Sequence, residues 1–178
     1  MCRWFVLFVR TGAEEQVVEI LKNQLKYGGY LPFIFTKEAL FWDKGKPVLF
    51  KKILFPGYVV VKTNYSSEEV LSHIKPILSA AEDRIYRVLH YGDSEKNIMM
   101  NESEQAMWES LVDSDFCLRA SEGMVKNNLL EITSGPLIGK EVQIKSLNKY
   151  KNKAVLDVEF AGGLFEMNLV LKVKKKNT

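Results

Sequence analysis

Cysteine and histidine are scarce in this 178-residue chain, with two of each: Cys2 and Cys117, His73 and His90. The cysteines lie far apart with no CxxC pair, which suits a reducing compartment and excludes a disulfide scaffold, so both read as unpaired thiols. Neither histidine sits in an HExxH or Cys/His cluster, so no metal is expected. Long apolar runs are lacking as well. Trp4 to Val9 is six residues and meets Arg10, too short for a signal-peptide core or the roughly 20 residues of a membrane span. The protein is expected in the cytosol, with no membrane contact. A catalytic constellation is also missing. Gly135-Pro136-Leu137-Ile138-Gly139-Lys140 has three residues between its glycines where a phosphate-binding loop needs four, and Glu141 stands where that loop needs Ser or Thr. It reads as turn chemistry. Cys117 has no neighbouring base to make it a nucleophile. The chain is expected not to be an enzyme and to carry no cofactor.

An excess of one charge is absent only on average. The 25 Lys and Arg nearly balance 22 Asp and Glu, a net of +3. Divided after Glu122, the balance separates: residues 1–122 hold 15 basic and 17 acidic side chains, a net of −2, and residues 123–178 hold 10 and 5, a net of +5. The pattern changes at the same place, from alternating helical and strand periods to successive short strands. With 47% hydrophobic and 11% aromatic residues there is material for two small cores. The expected organisation is a domain over residues 1–112, a linker over 113–122 and a second domain over 123–178.

In the first part, Arg3-Trp4-Phe5-Val6-Leu7-Phe8-Val9 has the continuous aromatic and β-branched character of a central strand. Thr11 with Glu14 forms a capping-box signature. Val17, Ile20, Leu21 and Leu25 follow at helical spacing until Gly28-Gly29. Tyr30 to Leu40 reads as a second strand, Phe41 to Val48 as a hairpin tip, and Leu54-Phe55-Pro56-Gly57-Tyr58-Val59-Val60-Val61 as a turn feeding a third. Ser66 or Ser67 caps a helix over 68–75 that Pro76 is expected to end. Ile85 to Leu89 reads as an edge strand and Ser103 to Val112 as a last helix. The fold class is α+β, an N-terminal sandwich of helices on a mostly antiparallel sheet, followed by a small C-terminal all-β barrel.

Three features stand out. Phe55 and Tyr58 flank the Pro-Gly turn, where aromatics serve either the core or a partner. Lys37, Lys44, Lys46, Lys51 and Lys52 gather around Trp42, opposed only by Glu38 and Asp43, which fits a solvated hairpin or a phosphate contact. In the C-terminal part, Val142, Ile144 and Leu147 alternate so as to leave Lys145 outside. The loop Asn148-Lys149-Tyr150-Lys151-Asn152-Lys153 presents three lysines around an aromatic, as a polar hairpin tip or as a phosphate-and-stacking contact to nucleic acid. Lys172-Val173-Lys174-Lys175-Lys176 reads as a solubilising tail.

Arg3-Trp4-Phe5-Val6-Leu7 with Arg10-Thr11-Gly12-Ala13-Glu14, then Phe55-Pro56-Gly57-Tyr58-Val59-Val60-Val61, resemble the N-terminal (NGN) domain of NusG-type transcription elongation factors. Thr133-Ser134-Gly135-Pro136-Leu137-Ile138-Gly139-Lys140 through Val142 resembles the KOW motif of their SH3-like C-terminal barrel, although Glu141 and Val142 depart from the small residue and Gly common there. Within the family, the basic loop 148–153 is similar to the specialised LoaP paralogues. The resemblance implies a processivity factor whose N-terminal domain docks on the clamp helices of the bacterial RNA polymerase β′ subunit through Trp4, Phe55 and Tyr58. It implies that the basic hairpin of Lys44, Lys46, Lys51 and Lys52 lies near upstream DNA. It further implies antitermination in long operons, with the KOW domain binding a nascent RNA hairpin through Lys140, Lys145, Lys149, Tyr150, Lys151 and Lys153. The alternative is a general elongation or termination factor whose KOW domain binds a termination factor or ribosomal protein. In either case a monomer is expected.

Overall fold

The computed structural model describes residues 2–26, 28–126 and 129–174. In chain order the elements are β1 (Arg3–Val9), α1 (Glu14–Gln24), β2 (Tyr30–Phe33), β3 (Thr36–Asp43), β4 (Lys46–Ile53), β5 (Tyr58–Thr63), α2 (Ser67–Ala80), β6 (Ile85–Val88), α3 (Glu102–Leu111), β7 (Cys117–Leu118), β8 (Ser121–Lys126), β9 (Leu129–Ser134), a 3₁₀ turn (Glu141–Gln143), β10 (Ile144–Asn148), β11 (Lys153–Phe160) and β12 (Gly163–Lys174). They form two compact units: Met1–Phe35 with Ile53–Ala106, and Thr36–Lys52 with Met107–Thr178. The chain thus contributes the β3–β4 hairpin and the last turns of α3 to the second unit. The hairpin removes a net +3 from the first unit and residues 107–122 a net −3, so the units keep the −2 and +5 of the sequence division.

The first unit is a four-stranded antiparallel sheet in the order β2-β5-β1-β6. Strand pleating sends Phe5, Leu7 and Val9 to one face of β1 and Val59 and Val61 to the same face of β5. There they pack with Val17 and Leu21 of α1 and with Val70, Ile74 and Ile77 of α2. β1 lies between two partners and β6 at the edge, as their compositions indicate.

Three local expectations change. The capping box at Thr11 does not form: α1 starts at Glu14 after Ala13 with no side-chain cap, because the Glu14 carboxylate is engaged elsewhere, with the amides of Gly12 and Gly57. The genuine capping box is at Ser66 and Glu69. α2 then continues through Pro76 to Ala80. An interior proline costs a helix about 3 kcal/mol. Burial of Val70, Ile74 and Ile77, each contributing about 1.5–3 kcal/mol, outweighs it. Finally, the run Tyr30 to Leu40 is two strands. Tyr30–Phe33 pairs with β5, whereas from Thr36 the chain pairs with β4 and β7.

The second unit contains a five-stranded sheet in the order β10-β11-β12-β8-β9 and a three-stranded sheet β4-β3-β7. Ala154, Leu156, Val158 and Phe160 alternate inward along β11 and meet Met167, Leu169 and Leu171 of β12 in the core. The turn between β3 and β4 is only Lys44-Gly45, both with positive φ, the two-residue type I′ geometry of tight hairpins. Phe41 and Val48 are therefore strand residues. The segment 113–122 carries an Asp113-centred turn, β7 and the start of β8, and Cys117 and Leu118 are buried.

Val142 and Gln143 are not strand. Glu141 accepts a hydrogen bond from the Ile132 amide at 3.0 Å, and residues 141–143 wind into the 3₁₀ turn, leaving Val142 95% exposed. Lys172 to Lys174 are not tail either: they pair in parallel with β8, and Lys174 Nζ lies 2.8 Å from Glu122 Oε2. Lys175 and Lys176 fall outside the described residues.

Candidate functional site

In the first unit, the sheet face turned away from the helices carries aromatic side chains at alternate positions. Trp4 packs edge-on to Phe33 at 5.3 Å and tilted to Phe35 at 5.8 Å, and Phe35 reaches Phe55 at 6.3 Å. Trp4 and Phe55 are buried. At the other end of the face, Phe8 contacts half-buried Tyr58 at 5.6 Å and Tyr86 at 5.4 Å, with the Arg87 guanidinium 5.7 Å from the Phe8 ring centre. Tyr86 is 52% exposed. Of the three aromatics singled out in the sequence, two are therefore core and Tyr58 is at the surface. Phe8 and Tyr86 join it there. Alternation with Trp4 and Val6 was the signal for Phe8; Tyr86 gave none, because the β1–β6 register shifts at Phe8/Val9.

The Pro56-Gly57 turn decides which aromatic points where. Gly57 sits at φ +88°, donates its amide to Glu14 Oε1 at 2.7 Å, and accepts from the Val9 amide at 2.8 Å. Glu14 Oε2 accepts from Gly12 at 2.8 Å. A buried carboxylate thus fastens the start of α1, the end of β1 and the entry to β5, turning Phe55 inward and Tyr58 outward.

The basic residues lie in the second unit. Lys44 and Lys46 are exposed at the hairpin turn, beside exposed Trp42. Lys51 lies 3.8 Å from Asp115. Lys149, Tyr150 and Lys151 occupy the β10–β11 turn, where Asn148 Oδ1 accepts from the Lys151 amide, and Tyr150 is 95% exposed. Lys140 is half-buried ahead of the 3₁₀ turn. Lys145 is exposed but paired across strands with Asp157 at 2.8 Å, which raises its pKa. Lys37 and Lys52 of the hairpin and Lys151 and Lys153 of the turn line one cleft of about 300 Å³. That convergence was invisible in sequence: Lys37 Nζ donates to the main-chain oxygen of Asn168, 131 residues away.

Acidic side chains near the hairpin are already occupied. Glu38 accepts from the Ala120 amide at 2.7 Å and pairs with Arg119 at 3.3 Å. Burial pushes the Asp113 carboxyl up, but the Cys117 amide, the Arg119 guanidinium and the Asp115 amide together hold it below its usual range. Among the described residues no group of His, Cys, Asp and Glu is arranged to hold a metal, and no helix is long and apolar enough to cross a membrane.

The chain therefore consists of a helix-backed antiparallel sheet with an aromatic outer face and a β-rich unit with clustered lysines. The NusG family model, described as transcription termination factor nusG, matches residues 2–108, and the chain belongs to that family. Its members are non-enzymatic factors of transcription elongation and termination that interact with RNA polymerase. The fold is similar to that of a solved Thermotoga maritima NusG, titled "Domain interaction in Thermotoga maritima NusG", at 15% identity and a TM-score of 0.51, covering 97% of this chain and 94% of that one. No curated protein sequence matches.

Proposed function

We propose that this chain is an operon-specific antiterminator of the LoaP kind. Its N-terminal domain docks on the β′ clamp helices of RNA polymerase, and its C-terminal KOW domain binds a nascent RNA hairpin. The observation that carries the RNA arm is the β10–β11 turn, where Tyr150 stands 95% exposed between Lys149 and Lys151. Exposing a whole tyrosine ring to water gains nothing for the fold, whereas an unpaired base stacks on it while the lysines meet phosphates. On the polymerase side, Tyr58 with Phe8 and Tyr86 supplies an aromatic surface of the kind that forms binding hot spots, supported from the core by Trp4 and Phe55. Lys44 and Lys46 at the hairpin turn face upstream DNA. The protein acts as a monomer.

A read-through reporter with a terminator downstream of the native leader tests both arms. Tyr58→Ala is expected to abolish read-through while leaving RNA binding intact, and Tyr150→Ala to abolish RNA binding and read-through together. Unchanged read-through in Tyr58→Ala sinks the polymerase arm. The second reading, a general factor whose KOW domain binds a termination factor or ribosomal protein, is favoured by exposed Ile138 and Val142 on either side of Gly139. It predicts no leader RNA binding at moderate salt and loss of protein capture in Val142→Asp.

A further inference from the structure

Two lysine groups about a hundred residues apart in sequence meet in the second unit. Lys37 and Lys52 come from β3 and β4, and Lys151 and Lys153 from the β10–β11 turn and the start of β11; together they line the 300 Å³ cleft. Its one acidic lining residue is Glu38, and that carboxylate is held by Arg119 and the Ala120 amide. Among the described residues no acid lies within ion-pair distance of any of the four lysines. Lys37 is not loose: its ammonium donates to Asn168 O at 2.7 Å, which fixes it at the cleft wall with two protons left to donate.

Like charges gathered without counter-charge repel one another, a cost that an anion in the cleft relieves. Burial, helped by Lys52 and Lys153, pushes Lys37 down to about 8, a sign that this repulsion reaches the amine. The shape narrows the choice of anion. Among the described residues no aromatic ring lines the cleft, so a free nucleotide finds no platform for its base, whereas a chain of nucleotides needs only its phosphates there. Tyr150, next to Lys151 and open to solvent, is placed to stack a neighbouring base of the same strand.

We propose that Lys37, Lys52, Lys151 and Lys153 form a single phosphodiester-binding cleft, so that the β3–β4 hairpin and the β10–β11 turn hold one polynucleotide backbone together rather than serving separate nucleic acids. The inference rests on the nucleic-acid reading of the β10–β11 turn and adds the hairpin to it.

The test is fluorescence anisotropy of the full chain with a labelled leader-hairpin RNA and a labelled DNA duplex, over a range of salt, with inorganic phosphate as competitor. Lys37→Gln and Lys52→Gln should each weaken RNA binding about three- to tenfold at low salt and reduce the log–log salt slope by about 0.7 to 0.9. Lys52 is exposed, so its variant keeps the test valid if Lys37→Gln fails to fold. Lys149→Gln, outside the cleft, reports on the turn alone. If Lys149→Gln and Tyr150→Ala weaken binding while Lys37→Gln and Lys52→Gln do not, the cleft proposal falls and the turn reading survives; if none weakens it, both fall. Losses confined to the DNA duplex, or displacement of the RNA by inorganic phosphate at equal phosphate concentration, also overturn the proposal.

Discussion

The Pro56-Gly57 turn of the first unit and the Gly135-Pro136 turn of the second use the same two residues in opposite order and are fastened by different physics. Gly57, at φ +88°, gives its amide to the buried Glu14 carboxylate, and a Cβ built there would meet Thr11 Oγ1 at 3.3 Å, the movable end of a side chain. Gly135, at φ +95°, lies against β8: a Cβ would meet Ser121 Cα at 2.7 Å and Ala120 O at 2.8 Å, which are backbone. The neutral hydroxyl of buried Ser121 accepts from the Leu137 amide at 3.2 Å. One turn is held by a charge with room to spare, the other by contact with almost none. Sequence motifs that look alike as turn chemistry therefore differ in what breaks them.

The largest effect is expected at Gly135→Ala. Left-handed strain of about 1–3 kcal/mol adds to overpacking of about 1–3 kcal/mol against backbone that cannot rotate away. A loss of about 3–5 kcal/mol, read by urea denaturation and localised to the second unit by hydrogen exchange, is the predicted outcome. Gly57→Ala keeps the strain, but its one tight contact is the Thr11 hydroxyl and those to Val9 O and Phe8 are ordinary van der Waals distances, so about 1–2 kcal/mol is expected there. Equal losses at the two glycines would break the comparison.

Next in size comes the charged clamp. Glu14→Ala removes a carboxylate that accepts from two amides, one of them in a buried bond. Bonds to a charged group contribute about 1.5–3 kcal/mol each, and the amides are left without that acceptor, so about 2–4 kcal/mol should be lost from the first unit. Glu14→Gln retains one acceptor and should recover part of it. Ser121→Ala, which removes one neutral acceptor, should cost about 1–2 kcal/mol in the second unit. A Ser121 loss exceeding that of Glu14 would mean that burial, and not charge, sets the strength of these clamps.

How far the sequence could be read follows from the range of the forces involved. β1, the Pro-Gly turn and the edge strand β6 are local matters of periodicity and turn chemistry, and they are where the pattern puts them, whereas α1 ends at Gln24, before the Gly28-Gly29 stop that the sequence offers. Thr11-Gly12-Ala13-Glu14 is equally good as a capping box and as a clamp on a turn 43 residues away; only the tertiary partner decides. Pro76 was overruled by the buried side chains on either side of it. Lys145 reads as a free cation until the β10–β11 pairing, irregular at Lys145 itself, brings its ammonium within 2.8 Å of Asp157. The lysine cleft has no local signature at all, because its two halves come from distant strands whose meeting depends on the whole second unit.

The smallest predicted effects are alkaline, and they run in opposite directions in the two units. Lys37, which shares its cleft with Lys151 and with Glu38 tied to Arg119, is pushed down to about 8 in the folded chain by burial first and then by Lys52 and Lys153, against 10.5 when unfolded. Between those values the unfolded state binds more protons, so stability of the second unit rises with pH across that window. Half-exposure and salt keep the gain modest, and Lys37→Gln should remove it. In the first unit, burial and the neighbouring Glu104 carboxylate raise the Tyr91 phenol above its ordinary 10.0. Above about pH 10 the unfolded tyrosine loses a proton that the folded one keeps, so stability of that unit falls as pH rises; Tyr91→Phe should flatten the fall. Hydrogen exchange of each unit at pH 8, 9, 10 and 11, corrected for intrinsic rates, resolves the two slopes. Parallel slopes would show that burial and the neighbouring ammonium groups of Lys52 and Lys153 do not depress Lys37 in the folded chain.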